Sequence, residues 1–249
     1  MSAAVEQHYE RLLARNYSWM VGQSIEQKTA EQVALLRGLG VGPDLNGLAV
    51  DLGSGPGYQS FALADLGAER VLAVDTSRAL LDELQAHANG RRVETIVADI
   101  RALGHLAGAG SVETLVCMGD TLPHLADRAE VQKLFADAYT ALQPGGAVVL
   151  TYRDLSEALE GVDRILPIRA DDDRIMTCIL DFGPMTVTVT DVIHCRQDGE
   201  WRMEKSSYQK LRLAPRWVAE QLTRTGFHLA RNEGVGRMQA VVARKPGRE

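Results

Sequence analysis

Val50-Asp51-Leu52-Gly53-Ser54-Gly55-Pro56-Gly57 is the stretch on which the reading of this chain turns. It opens inside an apolar run of strand length, Leu48–Leu52, and leads into helical spacing over 58–66. A glycine-rich link between strand and helix lets the backbone approach a ligand closely, and the helix start offers it free N–H groups. Two acids give the loop a chemical direction. Asp51 stands two residues before the first glycine, and Asp75 closes the next apolar run, Val71-Leu72-Ala73-Val74-Asp75. Asp75 follows Gly53 by 75 − 53 = 22 residues, a separation at which a carboxylate can take both hydroxyls of a ribose. A nicotinamide dinucleotide loop asks for glycine at position 58; Tyr58 stands there and argues against that reading.

Outward from the loop, strand and helix patterns alternate. Strands are expected at 70–74, 93–98, Val112–Cys117 and 147–152, with helices at 78–88 and 128–142. Parallel strands joined by helical crossovers satisfy this order. Upstream, 4–15 and 24–39 read as helices, the second with Ser24 as N-cap and Gly40 as stop. Between them lies an aromatic segment containing Tyr17, Trp19 and Met20. Beyond Tyr152 the texture changes to alternating, β-branched runs with turn signals at Gly183-Pro184 and Asp198-Gly199, an antiparallel insert of three or four strands. Pro215–Thr225 then reads as a helix, and 227–232 and 237–243 as closing strands.

The expected fold is therefore α/β: a Rossmann-like, mostly parallel seven-stranded sheet with helices on both faces. The expected organisation is one domain over 1–249, with an N-terminal helical cap (1–40), a cofactor-binding core (41–155), a β insert or lid (156–213) and a closing helix and strands (214–249).

Composition narrows the function classes. The 249 residues carry 27 Lys+Arg against 33 Asp+Glu, a net charge of −6, which argues against a broad nucleic-acid surface. Three unpatterned cysteines point to a reducing, cytoplasmic setting, and no apolar run has membrane-spanning length. No metal-ligand spacing stands out; Asp171-Asp172-Asp173 reads as a solvated turn.

The order of these features resembles the class I S-adenosylmethionine-dependent methyltransferases, from Leu48 to Leu150. In that family an acid–x–Gly–x–Gly–x–Gly loop holds the methionine end of the cofactor. An acid ending the second strand holds its ribose, and an acid after the third strand reads its adenine. The resemblance thus implies S-adenosylmethionine as cofactor, S-adenosylhomocysteine as product, and a site drawn from Asp51, Gly53, Ser54, Gly55, Gly57, Asp75, Thr76, Asp99 and Ile100, with Met118 and Gly119 on the cofactor side.

The loop Cys117-Met-Gly-Asp-Thr-Leu-Pro-His124-Leu is similar to that of glycine-N-methyltransferase-like enzymes, with Asp120 in place of Asn. It lacks the Asn/Asp-Pro-Pro-aromatic signature used on nucleic acids and proteins. The acceptor is therefore expected to be a small molecule, methylated at nitrogen, with methylation at oxygen as the alternative, by a monomer or homodimer. Asp120 and His124 are the candidate catalytic residues; His124 is read either as a base or as a cap on the following helix. A binder of the same fold that methylates nothing is the alternative of another class.

Acceptor contacts are expected from Tyr9, Tyr17, Trp19, Tyr152 and Arg153. Arg153 is read as meeting an anionic acceptor or, with slight preference, as pairing with Asp154. Of Arg164, Arg169, Arg174, Tyr208 and Lys210, some are read as facing the pocket as a lid and most as a solvated face, and Trp201 and Trp217 are read as core anchors.

Overall fold

The computed structural model describes residues 3–42 and 44–247. The N-terminal part holds α1 (Ala3–His8), α2 (Tyr17–Val21) and α3 (Ile25–Gly38). The alternating part runs β1 (Leu48–Leu52), α4 (Tyr58–Asp65), β2 (Arg70–Asp75), α5 (Arg78–Ala86), β3 (Val93–Val97), α6 (Leu103–Leu106), β4 (Val112–Cys117), α7 (Arg128–Ala141) and β5 (Leu142–Tyr152). The insert contributes β6 (Ile165–Ala170), β7 (Arg174–Phe182), β8 (Thr186–Gln197) and β9 (Glu200–Leu211). The chain closes with α8 (Pro215–Thr225), β10 (His228–Val235) and β11 (Met238–Arg244).

The strands form a seven-stranded sheet, β10-β11-β5-β4-β1-β2-β3, and a four-stranded antiparallel sheet, β6-β7-β8-β9. Within the larger sheet, β11 runs antiparallel to both β5 and β10. Strands such as β1 are buried on both faces, as parallel sheets require. Val50 and Leu52 pack toward α7 and α8, while Ala49 faces the side covered by α3 and α4. Because β1 to β5 are parallel, their carboxyl ends share one edge, the place where open α/β sheets bind ligands.

The helix starts follow local chemistry. Ser24 and Gln27 form a reciprocal capping box at α3. At α7 the Asp127 carboxylate accepts from Glu130 N at 2.8 Å. Asp198 and Gly199, both at positive φ, make the tight β8–β9 turn that their sequence announced.

Three local expectations are corrected. The helix expected over 4–15 is α-helical only to His8; Tyr9–Leu13 is a π turn and Ala14–Asn16 a 3₁₀ turn. This segment packs chiefly on the inner face of the four-stranded sheet, where Val5, Leu12 and Leu13 meet Met176, Leu180, Val187 and Ile193. Trp201 is no core anchor: it sits 44% exposed beside the β8–β9 turn, with the Arg196 guanidinium over its ring. β5 begins at Leu142 rather than at 147, because Leu142 already pairs with Val112 before the register shifts.

Candidate active site

The glycine loop follows β1, and its conformation explains its composition. Gly53 has φ 75°, and a Cβ there would lie 2.3 Å from Thr121. Gly57 has φ 99°, and its missing Cβ makes room for Leu84. Asp75, at the end of β2, accepts from Gly55 N at 2.9 Å on one oxygen and from Ser77 N at 2.8 Å on the other. Burial raises its pKa, against the pull of these backbone donors. Each oxygen retains a lone pair for a further donor. Asp51 lies beneath the loop, where Ser60 Oγ donates to it at 2.6 Å and burial pushes it up to about 7.

Three adjoining cavities run along this edge. The first, about 210 Å³, is lined by Thr76, Ser77, Ala98 and Asp99, faced by Glu6 and Glu10. The second is a narrow groove of about 30 Å³ between Gly53, Gly55 and Asp75 on one side and Tyr17 on the other. The third, about 200 Å³, opens past Gly119 and His124 toward the four-stranded sheet. Tyr9 lines all three. A larger depression of about 510 Å³ lies among Glu69, Arg70, Arg91 and Glu94. It is at the opposite edge, near the amino ends of the strands, among exposed ion pairs, and so away from the ligand-binding edge.

The loop after β4 separates groove from third cavity. Gly119 N donates to Thr151 Oγ1 at 3.0 Å. Asp120, at φ 76°, accepts from Arg153 N at 2.9 Å and forms a buried salt bridge with Lys210 of β9; Arg153 Nε lies 3.8 Å away. His124 follows on a 3₁₀ turn and stacks on Tyr208 at 5.3 Å, with Tyr9 at 5.8 Å. Burial holds its pKa well below the usual value, helped by Lys210 and His8, so it is neutral at physiological pH. Its Nδ1 is buried without a partner. Behind Tyr208, at 4.4 Å, lies His8, whose Nε2 is 3.0 Å from the Asp191 carboxylate.

Of the residues read from the sequence, Gly53, Gly55, Asp75, Thr76, Asp99 and Gly119 line the first two cavities. Tyr9, Tyr17, Asp120, His124 and Arg153 line the third. Burial opposes ionisation of Asp99, but hydrogen bonds from Arg101 outweigh it and lower its pKa. Others do not line these cavities. Ile100 and Met118 pack in the two faces of the main core. Tyr152 is fully buried on the α7–α8 side; β5 alternation turns Thr151, not Tyr152, toward Gly119. Trp19 donates to Asp171 and carries Arg169 and Arg174 against its ring. Ser54 is buried below the groove, its hydroxyl without a partner.

Two pairings differ from expectation. Arg153 meets Asp120, whereas Asp154 accepts from Ser156. Asp127 caps α7, so His124 does not. Lys210 and Tyr208 belong to the cavity rather than to a solvated face, and Asp191 and His8 join them. A signal for Asp191 was present: it occupies the buried phase of Val187, Val189 and Ile193, where a charge needs a partner.

Among the described residues no helix is long and apolar enough to cross a membrane, and no three His, Cys, Asp or Glu are grouped to hold a metal ion.

Residues 49–146 match the methyltransferase domain family. The chain is 35% identical over 156 residues to the cypemycin N-terminal methyltransferase of a Streptomyces species, covering 56% of this chain and 62% of that one. It spans between two fifths and about three fifths of the length of the curated relatives it matches. The CcbJ methyltransferase of Streptomyces caelestis has a similar structure, with TM-score 0.78, 19% identity and 97% and 99% of the two chains covered. The amino pentose methyltransferase CalS10 of Micromonospora echinaspora, solved with S-adenosylmethionine bound, superposes with TM-score 0.68 at 17% identity, over 93% and 95%. At these identities the two structures share the fold. The match to the methyltransferase domain family covers residues 49–146, the stretch that holds the glycine loop, Asp75 and Asp99.

Proposed function

We propose that the chain methylates a nitrogen of a small-molecule acceptor. The observation that carries this reading is the shared wall: Tyr9, Tyr17, Gly119 and His124 line both the glycine-loop groove and the 200 Å³ cavity beside it. A donor held in one space faces an acceptor held in the other, which is the arrangement in-line transfer requires. The groove suits the cofactor of the family. Gly55 leaves backbone open at φ 53°, Asp75 keeps acceptor lone pairs for ribose hydroxyls, and Thr76 and Asp99 flank the adjoining space.

S-adenosylmethionine, when bound, supplies a methyl group already activated on a sulfonium. The protein's work is placement and exclusion of water. Tyr9 and Tyr17, both held protonated chiefly by burial, roof the groove. His124, held neutral by burial, walls the site without placing a charge beside the sulfonium, and the proton that the acceptor nitrogen sheds after transfer passes to water. Asp120 acts by position: tied to Lys210 and Arg153, it holds the loop carrying Gly119. With its carboxylate so engaged, the described cavity offers no strong base for a hydroxyl. The names of two similar proteins, an N-terminal methyltransferase and an amino pentose methyltransferase, support nitrogen as the acceptor.

The test is release of S-adenosylhomocysteine from amines and from matched alcohols, alongside titration of cofactor binding. Release with amines is the expected result. Binding without release from any acceptor points to a non-methylating binder; preferential release from alcohols overturns nitrogen.

A further inference from the structure

We infer that the acceptor is an amine carried on an apolar hydrocarbon body, a branched chain or a single ring, rather than on a polyol or a bare amino acid. This rests on the methyl-transfer reading above and concerns the far wall of the same cavity. That wall is built by the inner face of the four-stranded sheet and the segment packed on it. Ile168, Met176, Leu180 and Val189 come from the sheet, and Leu13 and Met20 from the N-terminal part. The alternation of β7 and β8 turns Met176, Leu180 and Val189 inward, each 5% exposed or less.

The charged side chains of the cavity are already engaged with one another or stand at its rim. Asp191 is held by His8 at 3.0 Å, and Asp120 by Lys210 and by Arg153 N at 2.9 Å. The Arg153 side chain, 45% exposed, stands at the rim. A polyol body would have to place each hydroxyl against aliphatic carbon and leave its water bonds unreplaced, a cost that repeats with every hydroxyl. A hydrocarbon body gains with each carbon it removes from water. Space sets the upper limit. The cavity measures about 200 Å³, so a body that outgrows it gains nothing from further carbons. Methionines on two sides let the wall adapt to branching.

The experiment uses the full chain and the n-alkylamines from propyl to octyl, with glucosamine and glycine as polar comparisons. Two readouts are taken: S-adenosylhomocysteine release, and amine affinity by calorimetry in the presence of S-adenosylhomocysteine. The inference expects kcat/KM and affinity to rise about fourfold per methylene, the value of one buried CH₂, until the cavity is full. Val189→Thr, of the same shape but polar, should flatten that rise. A flat series, or glucosamine used better than hexylamine, overturns the inference while leaving nitrogen methylation standing. Release from no amine overturns the methyl-transfer reading instead, and the calorimetric slope then still decides whether the wall selects apolar bodies.

Discussion

Lys210→Met removes the ion pair between the four-stranded sheet and the loop that follows β4. The Lys210 side chain is 11% exposed and that of Asp120 8%, so the pair is shielded from water and screened little by salt. Met preserves the length and much of the packing of Lys but leaves the Asp120 carboxylate with the Arg153 backbone N–H and an Arg153 side chain 3.8 Å away. Breaking one side of a buried pair costs about 3–5 kcal/mol, because the remaining charge loses its compensation. The nearby Arg153 recovers part of that, so about 2–4 kcal/mol is expected here. Asp120→Asn strands Lys210 in turn and should cost a similar amount. The double variant buries two neutral groups and should cost less than the sum by about 2 kcal/mol or more. Urea denaturation of the four proteins measures the cycle, with S-adenosylhomocysteine affinity reporting the position of Gly119. Additive single variants, each within about 0.5 kcal/mol of wild type, would show that the two charges are solvated and that the sheet is not tied to the loop.

Asp75→Ala should weaken S-adenosylhomocysteine binding roughly ten- to hundredfold, the equivalent of a pair of charge-assisted hydrogen bonds, with circular dichroism unchanged. Calorimetry showing wild-type affinity would remove Asp75 from the ribose role. His124 is neutral in the fold, so below about pH 6.5 the unfolded chain takes a proton that the folded one refuses, and stability falls with acid. His124→Phe lacks that term and should gain about 1.4 kcal/mol relative to wild type between pH 7.5 and 5.5 in denaturant titrations; an unchanged difference would mean an accessible imidazole. A chain beginning at Gln23 should keep the parallel sheet but expose the inner face of the other, where Val5, Leu12 and Leu13 are buried. Hydrogen exchange is expected to rise in β7 to β9 and methyl transfer to collapse; protected β7 to β9 with normal turnover would deny the segment any closing role.

The parallel part of the molecule was legible because its rules are local. Each strand is an apolar run ended by an acid or a turn residue, and each crossover has a helix period, so Asp51, Gly53 and Asp75 could be placed at strand ends from spacing, and Asp99 from the resemblance. Tyr152 shows where the same rule was available but went unapplied: it shares parity with Val148 and Leu150, which all face the α7–α8 side, and so Thr151 meets the site. The second core was less legible because its partners are distant in sequence. Lys210 and Asp120 are 90 residues apart, and His8 and Asp191 are 183 apart. No periodicity reports such pairings. A charged residue in a buried phase announces only that some partner exists. The π turn at Tyr9–Leu13 has no sequence signature either, although it belongs to the stretch that brings Tyr9 to all three cavities.

The two cores divide the chemistry between them. Strand ends of the parallel sheet fix the glycine loop, Asp75 and the loop carrying Gly119, and their positions follow from ladder hydrogen bonds that leave little choice of register. The wall opposite is carried by side chains on a separate sheet, where β9 turns Tyr208 and Lys210 inward two residues apart, about 7 Å along the strand. Tyr208 reaches His124 and Lys210 reaches Asp120, so the sheet is indexed on the loop by one aromatic stack and one ion pair. Substitutions on β7 and β8 that leave this pair of contacts intact can reshape the third cavity without moving Gly53, Gly55 or Asp75, which face the groove from the parallel sheet. Acceptor preference is therefore expected to vary with residues 176, 180 and 189 while cofactor affinity stays with residues 53, 55 and 75, and Val189→Thr against Asp75→Ala is the comparison in which the two properties should separate.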